Sequence, residues 1–137
     1  MGKEAVLISA CLLGIECRYD GKSKYSNIVD RLIDKYNFIP ICPEQLGGLP
    51  TPRPASEIIN GDGLDVLTGN AIVRNCEGID VTNEFLKGAV TTIKIAKLLD
   101  IKKCFLKAKS PSCGIHEKLG VTAAMLIKAK LKVIELP

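Results

Sequence analysis

The stretch Val-Leu-Ile-Ser-Ala at residues 6–10, followed at once by Cys11, decides which kind of fold this chain adopts. A continuous run of apolar and small residues is typical of a strand buried on both faces, as in a parallel sheet. The run is too short for the apolar region of a secretory signal, and Glu4 stands where such a signal carries basic residues. We therefore predict a first β-strand over residues 6–10 and no targeting signal.

The rest of the chain alternates between strand and helix patterns. Short apolar runs predict further strands, and apolar residues at helical spacing predict helices, the first two with Ser26 and Asp80 as N-caps. This order predicts an α/β fold: a compact, mostly parallel β-sheet flanked by helices, in Rossmann- or flavodoxin-like layers, with a small β-hairpin insertion. The predicted strands are 38–41, 104–106 and 131–136, the helices 27–36, 81–99 and 122–129, and the hairpin 64–73, turning at 68–70.

Composition limits the class of protein. With 137 residues, 47% of them hydrophobic, and no linker or repeat, the chain is expected to form a single domain, residues 1–137. No apolar run approaches the length of about 18 residues that a membrane span needs, so we expect a cytoplasmic protein. Six cysteines without a secretory signal favour metal binding or catalysis over disulfides, although each could also be a small buried side chain.

The charge is unevenly distributed. Residues 1–86 carry 8 basic and 12 acidic side chains, whereas residues 87–137 carry 11 basic and 3 acidic ones. A basic C-terminal part suits an anionic ligand such as a nucleotide or RNA. The alternative is a set of solvated lysines on helix faces, which the scarcity of interleaved aromatic residues favours.

Three cysteines follow predicted strands directly or after a short loop. In open parallel sheets, ligands bind beyond the carboxyl ends of the strands, so Cys11, Cys42 and Cys113 are expected to meet there. Thiolates select soft metals, which makes an iron–sulfur cluster or zinc the expected occupant. Cys17, six residues after Cys11, stays open as a fourth ligand that would close the site.

Several motifs in a fixed order resemble one family, the thiouracil desulfidases, which was long catalogued as a domain of unknown function. Its characterised members remove sulfur from thiolated pyrimidines. The resemblance covers essentially the whole chain. The motifs are Ser-Ala-Cys-Leu-Leu-Gly (9–14), Cys-Arg-Tyr-Asp-Gly (17–21), Cys-Pro-Glu (42–44), Gly-Gly-Leu (47–49), Pro-Arg (52–53), Asp-Val-Thr (80–82), Ser-Pro-Ser-Cys-Gly (110–114) and Gly-Val-Thr-Ala-Ala (120–124).

The resemblance implies a cofactor and a mechanism. It implies a 4Fe–4S cluster with three protein ligands, Cys11, Cys42 and Cys113, and one open iron. That iron would bind the thiocarbonyl sulfur as a Lewis acid, water would attack the adjacent ring carbon, and the sulfur would leave as sulfide. Glu44 matches the acid or base, and Ser110 matches the hydroxyl beside the substrate or the attacking water. Such an exposed cluster would be oxygen-sensitive.

Two more residues are expected to bind substrate, Ser112 and Arg53, the latter through a carbonyl or a phosphate. Each assignment has a structural alternative. Glu44 could cap a turn or pair with Arg53, Ser110 could bond backbone, and Arg53 could pair with Glu57 to hold the proline-rich loop.

The remaining candidates are expected to be structural. Cys76 and Cys104 are predicted to be structural thiols, and His116, the only histidine, is predicted to lie on the surface.

The segment after Cys113 departs from the family pattern. Only residues 115–119 connect the Ser-Pro-Ser-Cys-Gly motif to the last helix, where family members carry a longer stretch with a Tyr-Asp-Gly element. The shortening could widen the pocket mouth and change which substrates enter. The expected substrate is a small thiolated pyrimidine, with nucleoside, nucleotide and thiolated tRNA left open. A sulfide or persulfide carrier and a closed four-cysteine zinc module are the alternative functions.

Overall fold

Four parallel strands make up the larger of two β-sheets in the computed structural model, which describes residues 2–137. A separate two-stranded antiparallel sheet pairs β3 with β4. The strands are β1 (Glu4–Ser9), β2 (Tyr36–Ile41), β3 (Ser56–Ile59), β4 (Ile72–Asn75), β5 (Lys103–Lys107) and β6 (Lys132–Leu136). The helices are α1 (Val29–Leu32), α2 (Pro43–Leu46), α3 (Gly63–Leu67), α4 (Thr82–Leu98) and α5 (Val121–Lys128), and a 3₁₀ turn spans Ala10–Leu13.

The order of the strands creates the crevice in which a ligand would bind. The main sheet runs β2-β1-β5-β6, so the chain leaves β1 toward one side for β2 and later returns to the other side for β5. Loops diverge at such a reversal, which opens a crevice at the carboxyl ends of the two strands. The central position of β1 agrees with the complete burial of Val6, Leu7 and Ile8. The predicted mixed α/β fold with a mostly parallel sheet and a small hairpin is confirmed.

The two faces of the main sheet are covered differently. On one face, Leu7, Cys104 and Leu106 pack under the apolar sides of α4 and α5. On the other face, α1 covers Val6 and Ile8, and the rings of Tyr36 and Phe38 pack edge-to-face on Phe105 at centroid distances of 5.4 and 6.2 Å. Between residues 2 and 137, no helix is both long enough and apolar enough to cross a membrane.

The hairpin lies elsewhere than predicted. Residues 63–67 form α3, and the antiparallel pair joins residues 56–59 to 72–75 instead of turning at 68–70. The cause is a reciprocal cap: the Asp62 carboxylate accepts from the Asp65 backbone nitrogen, and the Asp65 carboxylate accepts from the Asp62 nitrogen. Such a capping box satisfies free donors of the first turn and starts a helix. The prediction over 64–73 was therefore wrong in position, although a hairpin is present.

The first predicted helix is shorter than expected. Only residues 29–32 are α-helical, and Tyr36, assigned to the helix from its spacing, begins β2 opposite Glu4. The Ser26 hydroxyl accepts from the Ile28 nitrogen at 3.3 Å, so it caps a turn just before the helix. Tyr36 and Phe38 alternate along β2 and stack on Phe105, and this tertiary packing outweighs the weak helical pattern.

Candidate functional site

A cavity of about 500 Å³ opens at the carboxyl edge of the main sheet. Its walls come from the segments that follow β1, β2 and β5, and from the loop before β3. All seven residues predicted from the sequence to form a site line this cavity; they are Cys11, Cys42, Glu44, Arg53, Ser110, Ser112 and Cys113. The structure thus brings them together, and their individual roles stay predictions.

The three predicted ligand cysteines reach the cavity from different strands. Cys11 lies in the 3₁₀ turn after β1, Cys42 directly follows β2, and Cys113 lies in the loop after β5. Cys17 also lines the cavity and is 2% exposed, whereas the sequence placed it only in a loop past the strand end. The folded loop therefore supplies a fourth thiol to the same site.

Interactions among these thiols shift their pKa values in different directions. The Cys17 side chain lowers the pKa of Cys11, although burial and the neighbouring Cys113 and Cys42 oppose the shift. The bond to Cys11 raises the pKa of Cys17 to about 11, and the bond to Cys17, with burial, raises the pKa of Cys42. Burial raises the pKa of Cys113 to about 11, although Ser9 and Ser112 hydroxyls oppose the shift. Since metals bind thiolates, loading this site must release protons.

The loop that carries Cys113 is held from both ends. The Ser110 hydroxyl accepts from the backbone nitrogens of Ser112 and Cys113 at 3.2 and 3.1 Å. At the start of α5, the backbone nitrogen of Ala123 donates to the Ser112 carbonyl at 3.0 Å. A Cβ at Gly120 would overlap the backbone of Ser112 and Cys113, so the close approach of α5 to this loop requires glycine.

A Gly120→Ala substitution is expected to destabilise the cluster-free protein by about 1–3 kcal/mol, because overpacking at rigid backbone costs about that much. It should also displace the Cys113 loop and lower iron binding. Urea unfolding and iron content per chain measure the two effects. Gly2→Ala is the matched control, since nothing lies within 4 Å of its Cβ position. Equal stabilities of the two variants would contradict the close approach.

Glu44 is oriented by two partners on opposite sides of its carboxylate. It lies in the first turn of α2, one residue after Pro43, which suits the first position of a helix. Its Oε1 accepts from Arg53 Nε at 2.9 Å, and its Oε2 accepts from the Ser112 hydroxyl at 3.2 Å. The Ser112 and Ser110 hydroxyl oxygens are 2.9 Å apart, so a hydrogen-bonded path runs from Glu44 to Ser110.

The expected pair of Arg53 and Glu57 does not form. Glu57 is exposed on β3 opposite Arg74, whereas the Arg53 side chain is 4% exposed and pairs with Glu44. The alternative pairing considered for Glu44 is therefore present. The pairing does not remove Glu44 from the cavity, because its side chain is still 12% exposed and lines the wall.

Besides the buried Arg53, four cations line the cavity at partly or fully exposed positions; they are Arg18, Lys24, Lys107 and Lys109, here called the basic rim. Burial lowers the pKa of Lys107, and the positive charges of the other three lower it further. Within residues 2–137, Arg18 alone among them lies within 4 Å of a carboxylate, that of Asp20 at 3.9 Å.

The sequence predicted the rim only in general terms. The basic C-terminal part, residues 87–137, contributes Lys107 and Lys109, and the other lysines of that part lie outside the cavity. Arg18 and Lys24 come from residues 1–86, which carry more acidic than basic side chains. In the sequence, only their nearness to Cys17 indicated that they could lie at the site.

The shortened segment after Cys113 is fastened to the last strand. The backbone nitrogens of Ile115 and His116 donate to Glu135 Oε2 at 2.6 and 3.1 Å. Glu117 and Lys118 line a smaller cavity of about 210 Å³ that shares Ser110 with the main one. The effect of the shortening on substrate entry stays a prediction.

Three residues outside the site test the remaining expectations. His116 is exposed, as expected for a surface histidine. Cys104 is fully buried in β5, where burial raises its pKa to about 12, in agreement with a structural thiol. Cys76 is exposed, which does not fit the predicted structural thiol, because an exposed side chain adds little to packing.

Comparison with known proteins identifies the family of the chain that forms this cavity. A family model described as 2-thiouracil desulfurase matches residues 6–135. The chain belongs to the 2-thiouracil desulfurase family. The resemblance drawn from the motifs is therefore confirmed, and the matched range contains every residue of the candidate site.

One protein of related sequence and one solved structure are similar to the chain over nearly its full length. The chain is 42% identical over 141 residues to the uncharacterized protein YbbK of Bacillus subtilis (strain 168), covering 94% of this chain and 93% of YbbK. It also matches a solved structure of the [4Fe-4S]-dependent thiouracil desulfidase TudS, with a TM-score of 0.79 and 36% identity. That match covers 97% of this chain and 91% of TudS.

The donor set of this desulfurase family member suits an iron–sulfur cluster. All six cysteines are free, and four of them face one cavity. Thiolate is the ligand that iron–sulfur clusters use, so four thiols around one cavity fit such a group.

Proposed function

We propose that the protein is a desulfidase that removes sulfur from a thiolated pyrimidine, such as 2-thiouracil, 4-thiouracil or a thiouridine derivative. The observation that carries the proposal is the cavity at the sheet edge, which Cys11, Cys42 and Cys113 share with Glu44. Membership of the 2-thiouracil desulfurase family and the likeness to a [4Fe-4S]-dependent desulfidase support the same activity.

Cys11, Cys42 and Cys113 would hold a 4Fe–4S cluster with one iron free of protein ligands. When bound, such a cluster supplies a Lewis-acidic iron with affinity for sulfur. Cys11, Cys17 and Cys113 are all buried, so little of their surface is open to bulk water.

Glu44 is proposed to move the protons of the reaction. The water that replaces the sulfur must lose a proton. The Glu44 carboxylate can accept this proton and later return it to the leaving sulfur. Ser112 is held against Glu44 Oε2, and Ser110 is held against Ser112, so these hydroxyls would orient the pyrimidine or the water. Because both hydroxyls are fixed by hydrogen bonds, little reorganisation is needed on binding.

The basic rim supports a substrate that carries a phosphate. Lys24, Lys107 and Lys109 stand at the mouth without a carboxylate within 4 Å among residues 2–137, and such cations attract anions into a cleft. A thiolated nucleotide would place its base at the thiols and its phosphate at this rim. The free base would use the inner cavity alone.

Charge reversal at the rim tests this placement. Lys24→Glu together with Lys109→Glu is expected to raise KM for thiolated nucleotides about tenfold at low salt, a difference of about 1.4 kcal/mol. KM for the free thiolated base should stay unchanged. Lys97→Glu at the far end of α4 is the matched control. An equal rise in KM for base and nucleotide would contradict a phosphate position at the rim.

The activity itself is tested by anaerobic reconstitution followed by incubation with thiolated base, nucleoside, nucleotide and tRNA. The expected result is repeated formation of the desulfurised pyrimidine and free sulfide. At most one sulfur removed per chain would instead indicate a sulfide or persulfide carrier.

A second candidate is a closed four-cysteine metal module. The presence of Cys17 in the cavity favours it, because a fourth thiolate would leave no open position. The two candidates differ in colour and in metal. A colourless protein that purifies anaerobically with one zinc per chain would support the module and contradict the desulfidase.

A further inference from the structure

We propose that Arg53 positions Glu44 for proton transfer and does so without touching the substrate. The inference rests on the proposed function, because it concerns a reaction in which Glu44 is the acid or base. It replaces the expectation that Arg53 contacts a carbonyl or phosphate of the substrate.

The guanidinium donors of Arg53 are directed at protein acceptors on three segments. Nε donates to Glu44 Oε1 at 2.9 Å, and Nη2 donates to the Cys17 carbonyl at 2.9 Å. Nη1 donates to the Pro50 carbonyl at 3.1 Å and to the Thr51 hydroxyl at 3.0 Å. A guanidinium has five N–H groups, so these four contacts leave one donor for anything else.

Burial makes the pairing with Glu44 obligatory. The Arg53 side chain is 4% exposed, and a charge removed from water is costly unless it is paired and hydrogen-bonded. Within residues 2–137, Glu44 supplies the one carboxylate within 4 Å of Arg53. Moving Arg53 toward a substrate would break this pair and leave the Glu44 carboxylate without its cationic partner.

The contact fixes the orientation of the Glu44 carboxylate. Arg53 occupies Oε1 while the Ser112 hydroxyl occupies Oε2, so a rotation of the carboxylate would lose one of the two bonds. The same guanidinium holds the Cys17 carbonyl, which also accepts from Cys42 Sγ at 3.7 Å. Arg53 therefore ties the proton-transfer residue to the loops that carry two of the thiols. A lysine ammonium is a point charge and cannot span these acceptors with a planar fork.

The test compares Arg53→Lys with the wild-type holoenzyme, with rates expressed per assembled cluster. A misplacement of about 1 Å in a reacting group can cost about 100-fold in rate, so we expect kcat to fall about 10- to 100-fold. KM should change less than about twofold, and iron content and visible absorption should match the wild type. Arg74→Lys, at an exposed position of β4, is the matched control and should change none of these quantities.

A double-mutant cycle asks whether Arg53 acts through Glu44. In a Glu44→Gln background, measured with enzyme in excess so that slow turnover can be followed, Arg53→Lys should cost no further rate. Losses that multiply would mean that Arg53 acts independently of Glu44, and a higher KM at unchanged kcat would mean that it binds substrate. Lower iron content at unchanged kcat per cluster would mean that it only supports the fold.

Multiplying losses, a raised KM at unchanged kcat, or a lower iron content at unchanged kcat per cluster would each overturn the inference, although the wild-type protein remains an active desulfidase. A wild-type protein that is fully loaded with iron but removes no sulfur from any substrate would overturn the proposed function, and the inference with it.

Discussion

Serine in place of Cys11, Cys42 or Cys113, one position at a time, is expected to remove cluster binding and desulfidation together. Each of these cysteines lines the cavity from a different strand, so no neighbouring thiol on the same segment replaces Cys42 or Cys113. A serine oxygen is a harder ligand than a thiolate and is poorly suited to iron in a cluster. Iron and sulfide content after anaerobic reconstitution, with turnover of a thiolated pyrimidine, measure the loss, which should exceed about 100-fold in activity.

Two further cysteines serve as comparisons in the same experiment. Cys76→Ser is the matched control, because Cys76 is exposed and lies outside the cavity. Cys17→Ser distinguishes an open site from a closed one. With three ligands, the Cys17 variant should keep its cluster and most of its activity, whereas with four ligands it should lose iron as the others do. Full iron content in any one of the Cys11, Cys42 or Cys113 variants would remove that residue from the ligand set.

Glu44→Gln is expected to lower kcat by about 100-fold to 10,000-fold while the cluster stays bound, since positioned acids and bases contribute about that much. The amide keeps the shape of the side chain and can still accept a hydrogen bond from Arg53, but it cannot take up a proton. Steady-state or single-turnover rates, read beside the visible spectrum of the cluster, measure the effect.

The control for this substitution is Glu57→Gln on exposed β3, which should change neither rate nor spectrum. A Glu44→Gln variant with wild-type kcat would show that another group moves the proton. A variant that loses its iron would instead make Glu44 a residue that supports the cluster site.

Strand positions in this protein could be predicted because a strand that is buried on both faces consists of a run of apolar residues. The runs that became β1 and β5 are apolar at successive buried positions, as strands covered on both faces must be, and this pattern can be seen without knowing which strands lie beside them. The same logic brought the cysteines after β1, β2 and β5 to one edge of the sheet. The helix at 63–67 was missed because its signal lay in two aspartates, Asp62 and Asp65, and not in apolar spacing.

By itself, the sequence determined the parallel α/β framework, the family, and seven of the residues that line the cavity, since these depend on local patterns and on motifs in order. Only the tertiary structure decided which partner each polar group has. Arg53 pairs with Glu44 and not with Glu57, and Cys17 is buried beside Cys11 and Cys42 instead of lying free in a loop. Such pairings depend on how buried charges and thiols from separate segments are satisfied when the chain closes, and no local pattern carries that information.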